Sequence, residues 1–481
     1  MRAGLVVIGA AIAVAASVPV LRKHDRALFD LLGKARVAVG LGSAAAEKPV
    51  DPTPLVGLDL TRIDDRGDVL TAPAQGLRNA ELTLDADYQR YATALLRDGR
   101  VYEGAVVMTD VRAGRVLVWA GLGQGRVRDV VAEASAPSAS VFKIATGAAL
   151  VEAGVPLSRR HCYAGGEHGI ERADLEPDPK RDRWCASLPM AMGRSLNTVF
   201  ARLALAHLER DKLRAAAQRL GWGIEIPFDV PVQPSGIALP EDPLEYARTA
   251  AGFWNTTLSP FHGAMLAQTL ANAGVMVRAR VVERVLDDKG RTLYHRPAQR
   301  EVLKRVLDER TAWAVARMME QTVRNGTSFA SFHDRAGRPF LGELRVAGKT
   351  GTLTKKGPGE TLYTWWVGFA PADAPEVALS VLVVNRGKWY VKATHIACDM
   401  LRAYFADQGA PEVRHPSGYA GKKRRRRHEA TGGGEAAPAA KPVPALPPEP
   451  VDVGEGMRPT GPRPEGGSAE RRDADGEGIE S

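Results

Sequence analysis

Three short groups of residues have the types and spacing needed for serine-based acyl transfer. The first is Ser140-Val141-Phe142-Lys143. A serine hydroxyl attacks a carbonyl only when a base takes its proton, and a lysine three positions on lies one helical turn along the same face. If Ser140 falls in the first turn of a helix, the N–H groups and positive potential of that end favour a developing oxyanion. Pro137, Ser138 and Ala139 suit a turn leading in. Alone, however, S-x-x-K is near chance in a chain of 481 residues, and a solvated surface lysine is the default reading.

The second group is Ser195-Leu196-Asn197. Residues i and i+2 do not share a helix face, so the trio is expected in a turn before a helix over residues 198–208. Asn197 in that place is ordinarily an N-cap. The third group, Lys349-Thr350-Gly351-Thr352, ends an apolar run. Glycine in a strand permits close approach of another backbone, and an exposed strand edge can bind an extended peptide. Lys349 adds positive charge, while the two threonines add hydroxyl donors suited to a carboxylate.

Elements of ordinary type are expected to position these groups. Leu82 to Leu96 has helix-compatible apolar spacing. Gly104–Thr109 and Arg115–Ala120 read as strands around the Arg112-Ala113-Gly114 turn. Ser140–Val151 reads as a helix through Val141, Ile144, Ala145 and Ala148, and Leu196, Val199, Phe200 and Leu203 form another stripe. Pro260–Ala273 is a third apolar helix, stopped at Gly274. Leu344–Thr352, Trp365–Ala370 and Val377–Asn385 are short apolar runs split by polar turns, as in an antiparallel meander. The segregation of helices and strands predicts an α+β fold, an antiparallel β-sheet flanked by helices with a helical subdomain.

The order S-x-x-K, S-x-N, K-T-G is the signature shared by penicillin-binding proteins and class A β-lactamases. The chain resembles the penicillin-binding transpeptidase family over about residues 80–405. Further matches are Leu82-Thr83-Leu84-Asp85 with Gln89, Gly104-Ala105-Val106-Val107, Leu258-Ser259-Pro260 followed by Leu270-Ala271-Asn272-Ala273-Gly274, and Trp366-Val367-Gly368-Phe369-Ala370-Pro371. The resemblance implies a β-lactamase-like fold and a peptidoglycan D,D-transpeptidase. It makes Ser140 the nucleophile, Lys143 its base, Ser195 and Lys349 the proton relay, and Asn197 the ligand of the substrate amide. It also makes Thr350, Gly351 and Thr352 the carboxylate-binding strand, with the N–H groups of Ser140 and Thr352 as the oxyanion hole. The expected ligands are peptidoglycan stem peptides, with β-lactams as inhibitors. A separate glycosyltransferase is a candidate partner; neither cofactor nor metal is expected.

Two departures stand out. Leu196 occupies the middle of the second motif, where class A β-lactamases have Asp, and Ser138-Ala139 replaces the family's usual Pro-Gly. Neither removes a reacting group. No Glu-x-x-x-Asn segment for positioning a hydrolytic water lies between Asn197 and Lys349, which argues against a class A β-lactamase. A D,D-carboxypeptidase remains the alternative, since only the acceptor differs. A non-catalytic β-lactam sensor would need a transmembrane signalling module, and only one apolar segment is seen; a cell-wall scaffold would have lost the nucleophile, yet Ser140, Lys143, Ser195, Asn197 and Lys349 are all present.

The ends of the chain frame this domain. Ala3–Leu21 is apolar and uncharged between Arg2 and Arg22, Lys23 and Arg26. As a helix it would span roughly 28 Å, close to the hydrocarbon thickness. Residues 1–21 are therefore expected to be a signal anchor or a cleaved signal peptide. The flanking charges alone favour an inward-facing C-terminal part, but the chemistry argues for export, so the domain is expected on the periplasmic or outer face of the bacterial cytoplasmic membrane. Residues 22–80 read as a linker, 81–408 as the transpeptidase domain and 409–481 as a disordered tail. The tail's Lys422–Arg427 run carries six charges of the net +9, so the basic balance does not argue for nucleic acid. Solvated disorder and contact with anionic surfaces are both open readings of that run.

Cys162 and Cys185 lie in a polar, Gly- and Pro-containing stretch. In an oxidising compartment they would close a loop worth roughly 3 kcal/mol. Free thiols, or a zinc site with His161 and His168, are the other readings, although the spacing matches no standard ligand pattern. Asn255-Thr256-Thr257 and Asn325-Gly326-Thr327 match a glycosylation pattern and are read as ordinary polar loop residues.

Overall fold

The computed structural model describes residues 53–419, except 125–127, 167–168 and 298. The candidate membrane segment, the Lys422–Arg427 run and His168 lie outside the described residues. No helix among the described residues is long and apolar enough to cross a membrane.

Five strands make the central sheet: β1 (Glu103–Asp110), β2 (Val116–Leu122), β3 (Ala347–Lys355), β4 (Thr361–Ala370) and β5 (Val377–Arg386). Their order is β3-β4-β5-β1-β2, with every neighbouring pair antiparallel. The last three strands in the chain form the expected meander, and the N-terminal hairpin docks onto β5 through Val381↔Val106 and Leu382↔Ala105. The side-chain period of two separates two cores. Val106, Met108, Leu379 and Val381 face one core, while Ala105, Val107, Ala378 and Leu382 face the other. Both faces are covered, so β5 is an almost unbroken apolar run, Val-Ala-Leu-Ser-Val-Leu-Val-Val.

Helices account for both covers. On one face lie α1 (Ala86–Asp98), capped by Asp85 accepting the Asp87 and Tyr88 N–H groups, and the C-terminal helix over Ala393–Asp407. The other face carries Pro260–Ala271, buried from Pro260 to Leu270 because it lies between the sheet and the helical region. That region contains α2 (Lys143–Glu152), α3 (Leu188–Gly193), α4 (Asn197–His207), α5 (Arg210–Arg219) and α6 (Pro243–Ala250). In the same numbering Pro260–Ala271 is α7, Glu309–Arg324 is α8 and Ala393–Asp407 is α9. Helix α8 buries Ala312, Val315, Met318, Met319 and Val323 along one stripe. The result is the α+β architecture expected from the pattern.

Some boundaries moved for identifiable reasons. Residues 71–74 and 78–82, mostly inside the stretch read as linker, form strands in a four-stranded sheet with Val282–Leu286 and Thr292–His295. Residues 71–74 pair locally with 78–82 as a hairpin, and 78–82 pairs in turn with Val282–Leu286, about 200 residues away, which completes the sheet. Leu82 therefore ends a strand, and α1 begins only at Ala86. At the other end, Val413 is buried and the Tyr419 hydroxyl donates to Asp407, 2.7 Å away, so order extends beyond residue 408.

Cys162 and Cys185 are bonded to each other across a short hairpin, His161–Tyr163 paired with Trp184–Ala186. The bond uses both thiols, which overturns the free-thiol and zinc readings of the pair.

Candidate active site

The Ser140 turn is built by residues from all over the chain. Ala139 has φ +48°, a left-handed conformation that costs an alanine energy. It interrupts the expected helix: a 3-10 turn covers Ala139–Phe142 and α2 starts at Lys143. The Trp365 indole N–H donates to the Pro137 carbonyl (2.8 Å), and the Ser138 N–H donates to the Thr256 carbonyl (3.0 Å). Gly252, at φ +85°, underlies the turn; a Cβ there would stand 2.4 Å from the Ala139 carbonyl oxygen. Thr256 is buried here, so Asn255-Thr256-Thr257 is part of the framework and not the exposed loop that its composition suggested.

Lys143 lies on the inner side of this turn, fully buried. Its Nζ is 2.8 Å from Ser140 Oγ and 2.7 Å from Asn197 Oδ1, and it also donates to the Ala251 carbonyl. Burial, with Lys349 nearby, pushes the Lys143 ammonium well below the ordinary lysine range. That shift favours the neutral amine, which would be a proton acceptor within hydrogen-bond reach of the serine hydroxyl.

Ser195 has φ +58°, at the sharp bend between α3 and α4. Asn197 is the first residue of α4, preceded by Leu196 at the cap position. The N-cap reading of Asn197 is therefore wrong: its Oδ1 accepts from Lys143 and does not cap the helix. The bend is held from the disulfide-bridged excursion, where the Gly166 carbonyl accepts the Asn197 N–H.

The third group lies on β3, the free edge of the sheet. Lys349, also fully buried, donates to Ser195 Oγ (2.9 Å) and to the Thr350 carbonyl (2.8 Å), and burial lowers its pKa to about 7. Gly351 brings this edge against the Ser140 turn; a Cβ there would sit 3.1 Å from the Ala139 Cβ. Thr350 Oγ1 is 2.6 Å from Thr327 Oγ1.

The three motifs thus meet in one cleft of about 310 Å³, lined by Ser140, Ser195, Asn197, Thr350, Gly351 and Thr352. Arg194, Thr327, Thr364, Trp365, Lys392 and Thr394 complete it. Thr327 belongs to the Asn-Gly-Thr group read from the sequence as an ordinary loop, and nothing local distinguishes it. Its N–H donates to the Gly193 carbonyl (3.1 Å), which ties it to the second-motif bend. Cys162 and Cys185 are outside the cleft. No group of three or more His, Cys, Asp or Glu side chains suited to a metal occurs among the described residues.

The chain is similar to known proteins. Residues 104–401 match the family model of the penicillin binding protein transpeptidase domain. Over 268 residues the chain is 28% identical to the peptidoglycan D,D-transpeptidase PbpA of Mycolicibacterium smegmatis, covering 52% of this chain and 50% of the relative. It is 27% identical over 254 residues to the stage V sporulation protein D of Bacillus subtilis, covering 51% of this chain and 38% of the relative. The chain thus spans half or less of these relatives' length. Among solved structures, penicillin-binding protein A of M. tuberculosis, an imipenem acyl-enzyme complex, superposes with a TM-score of 0.57 at 22% identity, covering 68% of this chain and 79% of the other. The D,D-transpeptidase domain of a peptidoglycan glycosyltransferase from Eggerthella lenta gives 0.58 at 24% identity, covering 75% and 92%. These likenesses carry the fold; the family match covers well over half of the chain. The chain belongs to the penicillin-binding protein transpeptidase domain family.

Proposed function

We propose that the protein is a peptidoglycan D,D-transpeptidase that works through a Ser140 acyl-enzyme and is acylated by β-lactams. The observation that carries this reading is the buried Lys143 amine, 2.8 Å from Ser140 Oγ with its pKa depressed by burial. Lys143 Nζ takes the hydroxyl proton as Ser140 Oγ attacks the carbonyl of the D-alanyl-D-alanine bond. The carbonyl oxygen becomes an oxyanion held by the N–H groups of Ser140 and Thr352. Collapse of the tetrahedral adduct breaks the C–N bond, and Ser195, backed by Lys349, relays the proton held by Lys143 to the departing D-alanine amine. The amine of a neighbouring stem peptide then attacks the ester, forms the cross-link and returns Ser140 to the hydroxyl form. Asn197 serves twice, anchoring Lys143 and binding the substrate amide, and the Thr350 and Thr352 hydroxyls take the terminal carboxylate.

The domain extends from the strands near residue 71 to about residue 419, and the apolar N-terminal segment anchors it on the outer face of the cytoplasmic membrane. Export is supported by the Cys162–Cys185 bond, a feature of oxidising compartments. A separate glycosyltransferase supplies the glycan strands.

Labelling with a fluorescent penicillin tests the reaction. Wild type is expected to carry a covalent label that survives denaturation, with none on Ser140→Ala and at least a hundredfold slower labelling of Lys143→Ala. Unlabelled wild type would sink the proposal. Product analysis with stem pentapeptide separates the acceptors: a cross-linked dimer supports transpeptidation, and D-alanine with tetrapeptide alone indicates the carboxypeptidase.

A further inference from the structure

The cleft carries more positive charge than the reaction just described uses. Lys143 and Lys349 are buried and spoken for by Ser140, Asn197 and Ser195. The terminal carboxylate of a donor peptide is assigned to hydroxyl groups. Two further cations, Arg194 and Lys392, still line the cleft, and among the described residues no Asp or Glu lines it. Neither side chain forms an ion pair among the described residues, in a protein where many surface arginines pair with a carboxylate.

The backbone beneath both cations is fixed. Arg194 ends α3 and immediately precedes the strained Ser195, so its backbone is set by the second-motif bend. Lys392 lies on the opposite, sheet side, between β5 and α9. The loop before it is clamped by the fully buried Asn385, whose Nδ2 donates to the Val391 carbonyl (3.0 Å) and whose Oδ1 accepts the Tyr390 N–H (3.3 Å). The next residue, Ala393, donates its N–H to Oγ1 of Thr364 (3.2 Å), the β4 residue that pairs with Thr352 of β3. The Lys392 ammonium itself lies over the Trp389 ring, 5.2 Å from its centroid, a contact that places the charge without neutralising it.

We infer that Arg194 and Lys392 form a specificity subsite for a second free carboxylate of the donor peptide, on the side chain of the residue preceding the D-alanyl-D-alanine. This rests on the transpeptidase reading. An extended peptide advances about 3.3 Å per residue. The residue next to the acylated alanine is the first whose side chain stands clear of the reacting bond, and it is this side chain that we assign to the two cations. A carboxylate at that place gains charge-assisted hydrogen bonds that a carboxamide cannot equal. The enzyme thereby distinguishes stem peptides whose third residue keeps its free acid from those in which it is amidated.

Two synthetic stem pentapeptides test this, identical except that the diamino acid at position three bears a free side-chain carboxylate or its carboxamide. D-Alanine release is measured for each, and benzylpenicillin acylation is followed on the same samples. Wild type is expected to favour the free acid by about five- to tenfold in kcat/KM, mainly through KM. Lys392→Gln and Arg194→Gln each bring the ratio towards one, and Lys392→Arg retains it. Equal turnover of the two peptides by wild type, or an unchanged ratio in both Gln variants, overturns the subsite while the transpeptidase reading stands if penicillin still acylates. If wild type neither takes penicillin nor releases D-alanine from either peptide, the transpeptidase reading falls and the subsite with it.

Discussion

The Nζ of Lys143 and the Oδ1 of Asn197 stand 2.7 Å apart, although 54 residues separate them and both belong to buried surfaces of different helices. This contact fixes the amine against Ser140. Its loss would leave Lys143 with one partner fewer in a place where water cannot replace it.

Asn197→Ala is accordingly expected to slow penicillin acylation by about ten- to a hundredfold without removing the nucleophile. Stopped-flow measurement of the second-order rate checks it. Since the depressed pKa of Lys143 arises from burial and from Lys349, wild-type acylation should rise with pH through a value far below that of an ordinary lysine and stay level into mildly alkaline solution. A rate that climbs only near pH 10 would show that Lys143 is protonated in the resting protein.

Lys349 lowers stability for the sake of the site. Its folded pKa of about 7 is below the ordinary 10.5. Between those values the unfolded chain binds a proton that the folded chain does not, so this contribution to stability increases as pH rises from 7 to 10. Lys349→Met removes the desolvation cost. We expect it to stabilise the protein at pH 7 by on the order of 1–3 kcal/mol, with a smaller difference at pH 10, while acylation is strongly impaired. Thermal unfolding of the two proteins at both pH values reads the effect.

Gly252→Ala tests the platform beneath the nucleophile. A Cβ would lie 2.4 Å from the Ala139 carbonyl oxygen, at a φ of +85° that alanine adopts only with strain. The variant should lose on the order of 2 kcal/mol or more and acylate slowly even at temperatures where it remains folded. Chemical denaturation and penicillin labelling, done together, separate the two losses. Undiminished labelling would show that the Ser140 turn does not depend on this support.

Thr327→Val replaces the hydroxyl that lies 2.6 Å from Thr350 Oγ1 while keeping its volume nearly constant. Without that partner, Thr350 orients its hydroxyl less well towards a carboxylate. Affinity for carboxylate-bearing ligands should fall about three- to tenfold, as judged by the concentration dependence of acylation, with little change in melting temperature.

The candidate reacting groups, which the fold brings into one cleft, were legible in the chain because short motifs state chemistry locally. Ser140 and Lys143 are one helical turn apart, and the small, hydroxyl-rich Lys349-Thr350-Gly351-Thr352 segment marks an edge strand that another backbone must approach. The apolar run of β5 and the all-round apolar α7 likewise disclose burial on both sides. What only tertiary structure decided is which residues meet. Asn197 looked like a helix cap because cap chemistry is local, whereas its partner comes from another motif. Thr256 and Thr327 looked like loop residues because their roles depend on contacts with Ser138 and Thr350. The hairpin over residues 71–82 escaped notice since the strand that completes its sheet, Val282–Leu286, lies about 200 positions away. Lysine is a cation by composition; it becomes a base only where burial removes the water that stabilises its charge, and that burial exists only in the folded chain.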